Sequence, residues 1–382
     1  MHLLAKTNSG FRLALSNFNF YNKFPSSLPH RSMASVIQEG LPPSSIPIFT
    51  TVSSYREWRR KAFEEKKTVG FVATMGALHE GHCSLVRKSL SENDLTVVSI
   101  FVNPAQFAPH EDLATYPRTL PHDLEVLSSL SHDVDSTSSP SRKPSALFLP
   151  SVSEMYPSGI SQNTSEQKGT FIEVKGYGHQ MEGQSRPTFF RGVATVVTKL
   201  FNVIEPSRTY FGQKDIQQAL LLRRLTKDLL LNHPSSDNLF IVPTARDITT
   251  HLALSSRNAY LTPLQREKIA PVLYAALQTA KSSWEDSIHS FTKVECLTRA
   301  RALISEKAKE FSTNEEVRLD YIEMNDADTF DVLGDEVHRA EWIKGEGGEG
   351  RSVIISGALW VGQTRLIDNI VIGNVQKLGF IV

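Results

Sequence analysis

Apolar and β-branched residues gather in short runs along the chain, at Thr68–Ala73, Leu95–Val102, Ala146–Leu149, Phe171–Val174, Arg208–Phe211 and Leu239–Val242. Runs of this length bounded by turn residues predict buried strands. Between several of them the apolar residues recur every three or four positions, at Ser84–Leu90, His122–Leu130, Val193–Ile204 and Ile216–Leu231, which predicts helices. In the third of these, Val193, Val196, Val197, Leu200, Phe201 and Ile204 fall on one stripe and mark its buried side. Strands alternating with helices predict an α/β fold, a parallel sheet covered on both faces with ligands at the carboxyl ends of its strands. The stretch 131–145 is rich in Ser, Pro and Asp without periodicity and reads as a surface insertion.

The pattern changes near residue 259. Thr262-Pro263 offers a helix start, 263–283 and 291–311 have helical spacing, and strand-like runs follow at Val317–Met324, Val353–Leu359 and Arg365–Ile372. The glycine- and charge-rich stretch 340–351 reads as an exposed loop. Helices followed by strands predict a small α+β domain. The expected division is therefore 1–43 as an extension, 44–258 as the α/β catalytic domain and 259–382 as the α+β domain.

Composition narrows the partners. The 41 basic and 41 acidic residues balance, so no bulk attraction to nucleic acid or an anionic membrane is expected. No apolar run approaches the roughly 18 residues that span a bilayer. Cys83 and Cys296 form no spacing pattern, which fits a reducing compartment. Residues 1–38 contain no Asp or Glu yet carry Lys6, Arg12, Lys23 and Arg31 with several serines. Such a leader has the composition of a mitochondrial transit peptide, against the alternative of an extension with no address on a cytoplasmic protein. Met33-Ala-Ser offers a second start within it.

The chemistry concentrates where predicted strands end. After the first run the chain reads Thr74-Met75-Gly-Ala-Leu-His79-Glu-Gly81-His82. Two histidines three residues apart at a helix N-terminus share a face with unpaired backbone N–H groups, an arrangement suited to a polyphosphate. The plain alternative is half of a metal site, and clustered partner ligands are missing. Asn103 and Gln106, in Phe101-Val-Asn103-Pro-Ala-Gln106-Phe107, set amides beside an apolar wall that suits a small hydroxy acid; the alternative is an Asn-Pro turn. Glu111-Asp-Leu-Ala-Thr-Tyr-Pro-Arg118, with Asp123 beyond, is either a carboxylate source for nucleotide-bound Mg²⁺ or a solvated loop.

In Tyr210-Phe-Gly212-Gln-Lys214-Asp215-Ile-Gln-Gln218, Lys214 sits where an ammonium can neutralise charge on a transferring phosphoryl group. Asp215 and Gln218 have capping-box spacing, so Asp215 is expected to cap, and Gln218 is divided between capping and substrate contact. Leu254-Ser255-Ser256-Arg257 puts two hydroxyls before a guanidinium, an anion clamp.

Taken together, these blocks, with Arg191-Gly-Val-Ala-Thr-Val-Val-Thr-Lys-Leu-Phe201 and Gly362-Gln-Thr-Arg-Leu-Ile-Asp-Asn369, resemble the pantothenate synthetase (pantoate–β-alanine ligase) family over roughly residues 45–373. The histidine pair resembles the H-x-G-H signature of Rossmann-like class I nucleotidyltransferases. The resemblance implies a homodimer that forms pantoyl adenylate from ATP and pantoate, then passes the acyl group to β-alanine with release of AMP. It implies that Met75, His79, Gly81, His82, Gly212, Lys214, Asp215, Leu254, Ser255 and Arg257 meet the nucleotide. Catalysis would fall to His79, His82, Lys214, Ser255, Ser256 and Arg257. Asn103, Gln106, Gln218 and Arg186 would hold pantoate, with Asp123 toward Mg²⁺.

The chain departs from the family pattern at four places. Ala73 stands for the usual Pro, His122 for the first of an Asp pair, Phe189 for a His, and Thr250-His251, in a segment one residue longer, for Asp-Gly. Loss of that glycine removes easy access to positive φ and is expected to reshape the loop before Leu252. Rival readings are another nucleotidyltransferase of this fold, a class I tRNA ligase and a catalytically silent relative. The first would need more arginine for a phosphorylated substrate, and the second a basic extension.

Overall fold

The structure, a computed structural model, describes residues 40–108, 111, 113–134, 141–311, 317–344 and 350–381. The acid-free leader 1–38 and the centre of the 131–145 insertion lie outside the described residues.

The elements of the first part are β1 (Ile48–Phe49), α1 (Val52–Glu64), β2 (Val69–Thr74), α2 (Glu80–Glu92), β3 (Leu95–Ile100), α3 (Leu120–Ser129), β4 (Ala146–Phe148), α4 (Val152–Met155), α5 (Glu182–Ser185), α6 (Phe189–Ile204), β5 (Arg208–Gly212), α7 (Ile216–Asp228) and β6 (Leu239–Val242). Six strands pair in parallel in the order β1-β4-β3-β2-β5-β6. Because side chains alternate across a strand, Phe71 and Val97 enter one core while Val72 and Val98 enter the other. The first core takes Tyr55 from α1, Phe201 from α6 and Leu222 from α7, and the second takes Leu85 and Val86 from α2 and Leu127 from α3. Burying a side chain such as Phe71 contributes on the order of 2 kcal/mol.

Successive strands run outward from β2 to β3 and β4 on one side, and from β5 to β6 on the other. The crevice at this reversal, above Thr74 and Gly212, is where an open α/β sheet receives ligands.

Two expected elements differ. Phe171–Val174 is not a strand: the Ile172 N–H donates to Thr195 Oγ1 on α6 (2.9 Å), and Phe171 lies under the Arg191 guanidinium. The expected helix over 263–283 forms with an irregular first part. It is π-helical over Gln265–Ile269, with the Ala270 N–H donating to the Gln265 carbonyl, before α8 (Val272–Glu285), and Pro271 lacks the N–H that a regular α-helix needs there.

Beyond α8 come α9 (Lys293–Phe311), β7 (Val317–Asp326), α10 (Arg339–Trp342), β8 (Ser352–Val361) and β9 (Thr364–Gly373). β7, β8 and β9 form an antiparallel sheet backed by Leu273 and Leu277 of α8 and by Leu297 and Ile304 of α9. A bulge between Leu319 and Tyr321 leaves Asp320 outside the ladder, and Arg365 of β9 pairs with it at 2.8 Å. Ile354 of β8 joins the first core, so residues 42–382 make one compact unit. Among the described residues no helix is long and apolar enough to cross a membrane.

Candidate active site

The turn from β2 into α2 is built first. Thr74 Oγ1 donates to the Ser99 carbonyl (2.7 Å) and accepts the Gly76 N–H. Gly76 and Ala77 then both take positive φ, +83° and +50°. His79 caps α2: its Nδ1 accepts the Gly81 N–H at 3.1 Å, while His82 Nδ1 accepts the His79 N–H at 3.4 Å. A Cβ at position 81 would stand 2.7 Å from the His79 ring, so the cap needs glycine there. With Nδ1 accepting on both rings, the hydrogen-bond pattern assigns the proton of each neutral imidazole to Nε2. Burial lowers the pKa of His79 to about 4, with Lys214 adding to the effect. Burial, then His79 and Lys214, lower that of His82 to about 3. Near neutral pH the pair therefore offers N–H donors without charge, its rings 4.2 Å apart.

Past β3, the chain places two amides with different fates. Asn103 is buried: its Oδ1 accepts the Tyr156 hydroxyl (2.7 Å) and the Ala105 N–H, and its Nδ2 donates to Gln106 Oε1 (3.1 Å) and the Gly192 carbonyl. All of its capacity is used inside the protein. Gln106 is thereby oriented, with its Nε2 3.2 Å from the Met75 sulfur at the cavity wall. α6 presses so closely on this turn that a Cβ at position 192 would meet the Ala105 carbonyl oxygen at 2.2 Å.

Opposite, β5 leads into the turn of Gln213, Lys214 and Asp215, which Asn369 of β9 holds by donating Nδ2 to the carbonyls of Gln213 and Lys214, each at 2.9 Å. Lys214 Nζ lies 3.6 Å from the Asp215 carboxylate. Gln217 is buried and clamps the chain before α5, donating to the carbonyls of Tyr177 and Gln180 and accepting the Glu182 N–H. Gln218 lines the cavity, and among the described residues its side chain has no hydrogen-bond partner.

The fourth loop closes the crevice. Ser255 Oγ accepts the Arg257 N–H, opening a short turn over Ser256–Tyr260. Before it, Asp247 accepts the N–H groups of Thr249 and Thr250, and His251 takes φ +61°. Histidine thus occupies the left-handed conformation expected to be lost with the glycine. Arg246 forks onto Asp368 of β9 at 2.6 and 2.8 Å with Tyr274 beneath it, tying this loop to the antiparallel sheet.

These loops enclose a cavity of about 240 Å³ that opens into a larger one of about 1070 Å³ bounded by β7–β9. The small cavity brings together Met75, His79, Gly81, His82, Asn103, Gln106, Arg186, Gly212, Lys214, Asp215, Gln218, Leu254, Ser255, Ser256 and Arg257. Two expectations, for Asp123 and for the capping role of Asp215, need correction. Asp123 is 1 % exposed, and both its oxygens accept donors within the protein, so it does not serve as an open magnesium ligand. Arg186 also lines the small cavity, where it is bound to Glu111 through Nε (2.6 Å) and Nη2 (3.2 Å) and covers the Phe189 ring at 3.9 Å. Asp215 stands at the helix start without a side-chain capping bond. Tyr156, Gln217 and the anchoring by Asn369 were not singled out from sequence; Gln217 and Asn369 stand within the motifs at 210–218 and 362–369, whereas no local pattern marks Tyr156.

The family model described as pantoate-beta-alanine ligase matches residues 47–371. The chain is 41% identical to the pantoate–β-alanine ligase of Saccharomyces cerevisiae, over 85% of this chain and 99% of that one. It is similar in structure to pantothenate synthetase from Thermus thermophilus, with TM-score 0.64, 36% identity, and 85% of this chain and 99% of that chain covered. It is also similar to pantoate–β-alanine ligase from Francisella tularensis complexed with βγ-ATP and β-alanine, with TM-score 0.60, 33% identity, and 85% and 97% covered.

Proposed function

We propose that this chain, which belongs to the pantoate–β-alanine ligase family, joins its substrates through a pantoyl adenylate formed from ATP, releasing pyrophosphate and then AMP. The observation that carries the reading is the switch-point cavity itself. One wall offers the neutral N–H donors of His79 and His82 at a helix N-terminus, with Lys214 close enough to depress the His79 pKa; another offers the amides of Gln106 and Gln218.

In the first step a pantoate carboxylate oxygen attacks the α-phosphorus of ATP, and the bond to the β,γ-pyrophosphate breaks. Negative charge grows on the phosphoryl oxygens, where Lys214, the two imidazole N–H groups and the Ser255–Arg257 turn act. Such groups help most where charge develops. Gln106 and Gln218 orient the acid for in-line approach, and this positioning replaces a protein nucleophile. In the second step the β-alanine amine attacks the acyl carbon and AMP departs. With pKa values near 4 and 3, the histidines are poor acceptors for an ammonium proton, so the amine reacts as its free base.

A magnesium ion fits here as part of the nucleotide complex. Asp215 is the one carboxylate among the described residues lining the small cavity and would hold such an ion, which would offset the phosphate charge, while phosphates and water would supply its other donors. The test is isotope exchange: labelled pyrophosphate should enter ATP when pantoate is present without β-alanine. Exchange that ignores pantoate would overturn the reading.

A further inference from the structure

We infer that Asp123 is a positioning residue, an internal anion that sets the turn carrying Met75 and the His79–His82 pair. The inference rests on the reaction proposed above.

The turn needs such an anchor. Gly76 and Ala77 take left-handed φ in succession, a conformation that alanine adopts reluctantly. Successive turned residues of this kind aim their N–H groups to one side and create a concavity for an anion. The anion here comes from the protein. Asp123 Oδ2 accepts the Ala77 N–H at 3.1 Å, and Oδ1 accepts the Leu78 N–H at 2.8 Å and the Thr119 hydroxyl at 3.2 Å. Among the described residues no basic side chain forms an ion pair with Asp123, so these donors and its place in the first turn of α3 hold a buried charge. The fit is close: a Cβ on Gly76 would lie 3.1 Å from Asp123 Oδ2 and 3.2 Å from Ile100 Cγ2.

The next residue along is His79, the cap of α2, and Met75 lies just before the turn. α3 thus fixes the geometry of the histidine donors although Asp123 lines neither cavity. Asparagine keeps the shape of this side chain but turns one acceptor into an NH₂ donor against a backbone N–H. The turn would then relax and carry the imidazoles with it.

The test compares Asp123→Asn with the wild-type full chain, in pantoate-dependent pyrophosphate exchange and in the ¹⁵N signals of the histidine rings. A misplacement of about 1 Å lowers turnover about 100-fold. The expected result is a kcat loss of that order with the KM for ATP little changed, no recovery at high Mg²⁺, and altered His79 and His82 signals. Adding Ala77→Gly, which removes the steric objection to positive φ, should restore part of the turnover. If Asp123→Asn does not fold, Thr119→Ala weakens the same carboxylate contact and should show the same changes at smaller amplitude. Normal kcat, restoration by Mg²⁺ alone, or unchanged histidine signals in the folded variant would overturn the inference. A wild-type protein without pantoate-dependent exchange would instead defeat the proposed reaction, while the ring signals would still decide the role of Asp123.

Discussion

The side-chain amide of Asn369 donates to the backbone carbonyl of Lys214 at 2.9 Å, linking the last strand of the antiparallel sheet to the turn that presents the lysine. The same Nδ2 serves Gln213, and Asn369 Oδ1 accepts the Gln213 side-chain amide at 3.2 Å, so one buried residue fixes the whole turn. The C-terminal sheet thereby takes part in shaping the crevice of the parallel sheet.

Replacing Asn369 with Ala should leave two part-buried carbonyls without this donor and cost about 1 kcal/mol of stability. Turnover should fall more than the melting temperature suggests, because the Lys214 turn loosens. Denaturant unfolding measured beside steady-state kinetics checks this; a stability loss with normal kcat would show that Lys214 holds its place without Asn369.

Lys214→Ala should slow adenylate formation by on the order of 100- to 1000-fold, the range seen when one preorganised donor to developing charge is removed. ATP affinity should fall far less, since the contact strengthens as the phosphoryl group transfers. Single-turnover rates and equilibrium nucleotide binding separate the two. Weak ATP binding with near-normal turnover would reduce Lys214 to a nucleotide anchor.

The histidine pair carries a pH signature. Both rings have pKa values depressed below the ordinary 6.5, to about 4 for His79 and about 3 for His82, chiefly by burial. Below about pH 6.5 the unfolded chain takes up protons that the folded rings refuse. Their contribution to stability is therefore full above that pH and is lost progressively as pH falls toward 4 and 3. Water entering through the cavity moderates the effect, since both rings are only half-buried. Denaturation midpoints at pH 7 and pH 5 should drop more in the wild-type chain than in His82→Gln. Equal drops would mean that His82 is not held neutral.

The parallel sheet was legible because its strands are apolar on both faces and its helices carry clear stripes, as in Val193–Ile204. Phe171–Val174 misled because an apolar, β-branched segment can bury its residues against α6 without joining a ladder. Pro271 was a readable signal for the irregular turn before α8. At the site, the motifs brought the right loops together, but residue roles depended on three-dimensional partners. Asn103 and Arg186 carry groups suited to binding, and only the structure reveals that Tyr156 and Gly192 occupy the first and Glu111 the second. No local pattern joins Asp123 to Ala77 and Leu78, which α3 packing alone brings within hydrogen-bond reach. The left-handed His251 likewise depends on Asp247 organising its loop.

The most direct measurement follows products when the enzyme is mixed with ATP, Mg²⁺ and pantoate, without β-alanine. The proposed chemistry predicts a burst of pyrophosphate approaching one per active site, with AMP retained as the acyl adenylate until β-alanine is added and then released with the amide. Release of ADP and phosphate, or no pyrophosphate before β-alanine arrives, would contradict the adenylate route.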